Sequence, residues 1–246
     1  DLGSEEYPQK FYMEYVPCNT GQNWSPENFN TDMLPEWQDL LVETNSTLVE
    51  AFGIGFEGEK PEGTEEDGYW QLLWNSKEDA EAGWETWEGY DKTADWAEAN
   101  ADILACGSKA DTFSFDAYVR RSRDGLGTFD LTAFSSEYQF CAYNEGQGVD
   151  ELVSVIDDFE DWLVSDENSL DSPYTYVVLA PDYETEEFDL AWGNFHQSKE
   201  MREAGLANFL DTAPEIQEAF DKVLSCQEPN GLSLIHISEP TRPLYI

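Results

Sequence analysis

Two histidines occur in the chain, and only His196 has a chemical context, because His236 lies in a C-terminal run that reads as foreign to the protein. Trp192, Asn194 and His196 follow one another at intervals of two, so on a strand they share a face and could line a pocket. An imidazole there could act as a general base or hold a haem iron. The plainer alternative is a polar-tipped ring filling a tryptophan-sized slot. The nine tryptophans are a second candidate. An aromatic interior containing Trp70, Trp74 and Trp192 could hold an apolar or aromatic ligand, or these rings could simply be core, at roughly 150 to 250 Å² each. Trp84 and Trp87, three apart, fit a helix face. Acidic clusters are a third candidate: Glu57, Glu59, Glu62, Glu65, Glu66 and Asp67 crowd one stretch, and Asp182, Glu184, Glu186, Glu187 and Asp189 another. Calcium takes roughly six to eight oxygens, but the EF-hand spacing is absent, and solvated charge is the simpler reading. No Gly-x-Ser-x-Gly elbow, P-loop or His-Glu-x-x-His helix occurs. Nothing singles out a carboxylate pair for glycoside hydrolysis. No confident catalytic residue, metal site or cofactor is expected, with His196 the weak candidate.

These residues sit in a repeated frame. Trp70-Gln-Leu-Leu-Trp74-Asn-Ser-Lys77-Glu78 through Glu81-Ala82-Gly83 aligns with Trp192-Gly-Asn-Phe-His196-Gln-Ser-Lys199-Glu200 through Glu203-Ala204-Gly205. The shift is 122, since 192−70, 199−77 and 205−83 agree. It also brings Trp37-Gln-Asp-Leu-Leu-Val42 onto Phe159-Glu-Asp-Trp-Leu-Val164, and Cys18 and Cys106 match Cys141 and Cys226 with small gaps. Self-similarity over nearly the whole chain implies a tandem duplication.

Within a copy the pattern predicts strand, helix, strand, strand, helix, strand. In the first copy Phe11 to Val16, Ala51 to Phe56, Tyr69 to Trp74 and Thr112 to Val119 read as strands. A helix starting near Asp32 carries Leu34, Trp37, Leu40 and Leu41 on one stripe, with Pro35 in its first turn. A second opens at Ser76 and is interrupted at Glu88 to Asp91. In the second copy the strands are Tyr138 to Tyr143, Tyr174 to Leu179 and Phe188 to Phe195, and the helices Val149 to Val164 and Ser198 to Leu224. A counterpart of the closing strand is expected to be missing, leaving the edge at Tyr138 to Tyr143 open and prone to edge-to-edge pairing.

The order βαββαβ is the ferredoxin-like split unit. Residues 10 to 227, through the repeated Trp, Ser-Lys-Glu and Glu-Ala-Gly run, resemble the dimeric α+β-barrel superfamily, in which two ferredoxin-like sheets pack face to face. Here they would be two halves of one chain, a pseudo-dimer. The chain is also similar to uncharacterised exported acidic proteins of aquatic bacteria. The resemblance implies an α+β fold of two tandem ferredoxin-like units and, as an enzyme alternative, a haem-degrading or antibiotic-biosynthesis monooxygenase with a cavity around His196 and Trp192. In the ferredoxin-like order 4-1-3-2 the first and last strands are antiparallel neighbours, which implies disulfides Cys18–Cys106 and Cys141–Cys226. Four free thiols of a cytosolic protein are the alternative. Disulfides imply an oxidising compartment, periplasmic or secreted, and no Cys-x-x-Cys spacing supports zinc.

The formal net charge is −41, from 53 acids against 12 bases. A phosphate-binding surface is hard to build from that balance, so nucleic acid is excluded as an expected partner. No apolar run approaches the ~20 residues of a membrane span. With 40% hydrophobic residues the chain can still bury a core. The run Leu232 to Arg242 resembles the in-frame translation of a sequencing adapter. The start at Asp1, without a methionine, fits either signal-peptide removal or a chain cut at a contig edge. The predicted organisation is a tail (1–9), a first repeat (10–122), a linker (123–135), a second repeat (136–228) and an artefactual tail (229–246). The leading functional expectation is an exported, non-enzymatic binder of a small apolar ligand or protein partner, with the monooxygenase-like enzyme and a purely structural module as alternatives.

Overall fold

A computed structural model describes residues 10–60, 62–119, 129–130, 133–170 and 173–238. The tail 1–9, most of the linker and the last eight residues lie outside the described residues. The chain divides into two compact units, built mainly on Phe11–Phe115 and Asp116–Leu232.

In the first half, β1 (Lys10–Thr20) leads into a short α1 (Pro26–Asn28), whose N-cap Ser25 accepts a hydrogen bond from the Asn28 N–H at 3.0 Å. One π-helical turn (Phe29–Met33) joins it to α2 (Leu34–Glu43), which buries Leu34, Trp37 and Leu40 of the expected stripe, with Leu41 half-buried against the same core. β2 (Glu50–Phe56) and β3 (Gly68–Trp74) pair antiparallel, and β3 lies antiparallel on β1 with Trp74 opposite Tyr12 and Trp70 opposite Val16. α3 (Lys77–Glu88) and α4 (Asp91–Asn100) are separated at Gly89 and Tyr90, where the interruption was expected. A short β4 (Leu104–Cys106), not foreseen from the sequence, pairs with β1, and β5 (Phe113–Val119) closes the sheet in the order β2-β3-β1-β5. That is the ferredoxin-like 4-1-3-2 order.

The second half repeats the plan with β6 (Ser135–Tyr143), α5 (Val149–Leu163), β7 (Tyr174–Pro181) and β8 (Leu190–His196), and β6 and β7 flank β8 antiparallel. The single helix expected over 198 to 224 is two, α6 (Lys199–Thr212) and α7 (Pro214–Val223). Pro214 has no N–H to continue α6, yet fits the first turn of a new helix. β9 (Leu224–Cys226) then pairs with β6 as β4 does with β1.

The closing strand expected to be missing is present. β10 (Asn230–Ser238) pairs with β6, and the Ser136 hydroxyl donates to the Leu232 carbonyl at 3.2 Å. The expectation of an open edge, and of the association it would drive, is therefore corrected. Pairing needs only an extended segment whose N–H and C=O groups meet those of the edge, and the run Leu232 to Ile237 supplies one whatever its origin.

Both disulfides form as expected, Cys18–Cys106 and Cys141–Cys226, each on a pair of directly opposed strand residues. Among the described residues no helix is long and apolar enough to cross a membrane. The chain is α+β, two tandem ferredoxin-like units.

Candidate active site

The run repeated in both copies has a structural reason in each. Ser76 and Ser198 are N-caps, accepting from the Asp79 and Met201 N–H groups at 3.1 and 3.2 Å. Gly83 and Gly205 let the following helix cross the last residue of the third strand. A Cβ on Gly83 would lie 2.5 Å from the Trp74 ring, and one on Gly205 3.0 Å from Cε1 of His196. Trp74 and His196 are thus structurally equivalent, as the alignment implied, but their surroundings differ.

In the first half the space beneath α3 is filled. Glu14 is 0% exposed. Its carboxylate accepts from Trp74 Nε1 at 2.9 Å and Trp84 Nε1 at 2.7 Å, from Lys109 Nζ, and from Ser114 Oγ at 3.4 Å. A buried charge is tolerated when it is paired and fully hydrogen-bonded, so Glu14 is a structural anchor. Glu14→Gln leaves these donors facing an amide with one acceptor oxygen, and is expected to cost about 2 to 3 kcal/mol. Urea unfolding should show a lower midpoint at unchanged slope. Trp70 is likewise core, its ring 4.8 Å from Trp37 and 5.7 Å from Phe29.

In the second half the equivalent positions are smaller or polar. The register places Ser135 opposite His196 as Tyr12 lies opposite Trp74, and adding 122 to Trp84 gives Leu206. Three aromatic rings become a hydroxyl, an imidazole and an isobutyl group. A cavity of about 740 Å³ occupies this region, between the sheet face bearing Gln139, Trp192, Asn194 and His196 and the helices α5 to α7. Every lining residue belongs to the second half. Trp70 and Trp74 lie in the first half and do not join Trp192, Asn194 and His196 in this lining.

The lining includes a cluster of aromatic rings. Phe159 on α5 touches Trp162, Tyr174, Tyr176, Trp192, Phe209 and Phe220, with ring centroids 5.3 to 6.3 Å apart. Over it lies α6, which buries none of its own residues and leaves Leu206 52% exposed.

Two polar groups are aimed by this frame. Asn194 Oδ1 accepts from both Tyr174 OH at 2.7 Å and Trp192 Nε1 at 3.0 Å. An indole N–H can only donate, which fixes the amide orientation, and leaves Asn194 Nδ2 as a donor with no partner among the described residues. His196 is 8% exposed and packs against the Tyr174 ring at 4.9 Å. Neither ring nitrogen is hydrogen-bonded among the described residues. Burial, aided by the positive charge of Arg202, pushes its pKa down to about 4. At neutral pH the imidazole is uncharged and one nitrogen can accept a proton. Sequence reasoning picked out Trp192, Asn194 and His196 but missed Arg202, Glu137 and the α6 residues. The available signal was the exchange of large for small residues between the two copies.

The acidic runs behave as surface. Asp67 and Asp189, one from each run, accept from the Thr20 and Tyr143 N–H groups of their own first strands at 2.9 and 2.7 Å. Hydrogen bonds from Thr20 hold the Asp67 carboxyl below its ordinary range. Among the described residues no three His, Cys, Asp or Glu side chains converge as a metal site would require.

The fold is shared with solved structures of other α+β proteins. The chain is similar in structure to chlorite dismutase from Candidatus Nitrospira defluvii in complex with imidazole (TM-score 0.53, 8% identity, covering 93% of this chain and 91% of that one). It is also similar to a proposed chlorite dismutase (TM-score 0.53, 8% identity, 94% and 96% covered) and to a proposed monooxygenase from Fusobacterium nucleatum subsp. nucleatum (TM-score 0.50, 10% identity, 94% of each chain). No protein-family model matches the chain, and no curated protein matches it in sequence. These neighbours correct the expectation of a non-enzymatic binding protein: solved proteins that share the fold carry the names of enzymes, which backs the enzyme alternative better.

Proposed function

We propose that the chain is a monooxygenase-like enzyme that acts on a small aromatic hydroxyl compound held in the second-half cavity. The observation that carries the reading is His196, a buried, neutral imidazole with unpaired nitrogens in the lining of an aromatic cavity. Fold likeness lends support at the level of architecture only. In this reading His196 removes the substrate hydroxyl proton, and Asn194 Nδ2, roughly 7 Å along the same strand face, donates to the oxyanion or to a neighbouring oxygen. The electron-rich anion then reduces dioxygen. One oxygen atom enters the ring as a carbonyl in place of one C–H hydrogen, the substrate's own deprotonated hydroxyl becomes the second carbonyl, and the other oxygen atom leaves as water with those two hydrogens, all four electrons coming from the substrate. The two disulfides favour an oxidising compartment, periplasmic or secreted.

The test is product mass under ¹⁸O₂ with a panel of phenols and hydroquinones. One heavy oxygen per product molecule is expected, and absence of oxygen uptake across the panel would overturn the reading. The same imidazole supports a second reading. A neutral histidine is an axial ligand for haem iron, and the cavity lies in the size range of cofactor sites. His196 would hold the iron, and haem would supply oxygen activation. Titration with haemin separates the two readings, since a Soret shift lost in His196→Ala favours haem and no shift favours the cofactor-free one.

A further inference from the structure

We infer that the cavity selects flat aromatic molecules without net negative charge and turns away small anions, so that chlorite, the anion in the name of some structural neighbours, is a poor ligand. The inference rests on the reading of the His196 cavity as the substrate site. Its first ground is charge. Arg202 is the one cation in the lining, against Glu137, Asp221 and Glu228, so one positive and three negative charges leave the wall at −2. The whole chain, at −41, adds repulsion of the same sign.

The second ground is that Arg202 is already engaged. Its Nη1 donates to Ser135 Oγ at 2.9 Å and to the Ser136 carbonyl at 3.3 Å, and its Nε lies 3.6 Å from Glu137 Oε2. An incoming anion would have to displace Glu137 from a guanidinium that is 12% exposed. The uncharged His196 supplies no replacement charge. The third ground is shape and surface. A triatomic anion would leave most of about 740 Å³ unfilled, whereas an aromatic ring can lie against Trp192, itself stacked on Tyr176 at 4.6 Å. A cationic aromatic ligand would gain from the same rings.

Calorimetric titration with three probes that share a naphthalene ring tests this: 2-naphthol, naphthalene-2-sulfonate and a trimethylammonium naphthalene, the last two matched in bulk and opposite in charge. At low salt the neutral and cationic probes are expected to bind at least about tenfold more tightly than the sulfonate, with the gap narrowing as salt screens the wall. Glu137→Gln, which removes the negative charge beside the Arg202 guanidinium and reduces the wall's net charge to −1, is expected to raise sulfonate affinity about tenfold. Leu206→Trp, which puts the first-half residue over the cavity, is expected to weaken all three. Wild-type protein binding the sulfonate as tightly as 2-naphthol would overturn the charge selection while leaving the cavity as a binding site. Binding of none of the three would overturn the reading of the cavity as the substrate site, and the selection with it.

Discussion

Replacing His196 with alanine is expected to lower turnover by about 10²- to 10⁴-fold, the usual contribution of a positioned general base. The effect should fall mainly on kcat, because the aromatic wall that binds the substrate is untouched. A ring that only filled space would leave turnover within a few-fold of wild type. The pH profile carries a second signature. With its pKa pushed down to about 4, His196 is unprotonated and competent throughout the neutral range, so the acid limb of the free-enzyme profile should lie near 4 and not near 6.5. The same shift has a stability consequence of definite sign. As pH falls below about 6.5 the unfolded chain takes up a proton that the folded chain refuses until about 4, so the native state loses stability across that window. Above 6.5 neither state is protonated and the group is silent. The full loss is about 3 kcal/mol, and His196→Ala should flatten that part of the curve.

Reducing both disulfides is the second large effect. The bridged residues are 88 and 85 positions apart in sequence. On the chain-entropy model each closure is worth roughly 4 to 5 kcal/mol, against about 5 to 15 kcal/mol for the total stability of ordinary domains. The reduced protein is therefore expected to unfold at a much lower urea concentration, followed by the loss of tryptophan fluorescence at its native wavelength. A midpoint unchanged by reductant would show that the bridges do not constrain the fold.

The repeat and the ferredoxin-like order were legible because apolar periodicity and a constant shift are properties of the sequence itself. So were the Ser76 and Ser198 caps, the break near Gly89, and the cysteine pairing that follows from strand order. What escaped depends on contacts distant in sequence. The cavity lies where Trp74 and Trp84 are replaced by His196 and Leu206, two lining residues that meet only after folding. The fully satisfied Glu14 could not be told from the other acids, since its donors come from β3, α3, the turn at Lys109 and β5. β10 was misjudged for a different reason: the origin of a segment says nothing about its capacity to pair with an edge.

The central claim is that the chain carries a substrate site within its second half, built around His196. A crystal structure of the protein soaked with 2-naphthol tests it most directly. The ring is expected beside Trp192 and Phe159, with the hydroxyl within hydrogen-bonding distance of a His196 nitrogen. A ligand bound elsewhere, or a second half whose side chains close over the space and leave no cavity, would contradict it.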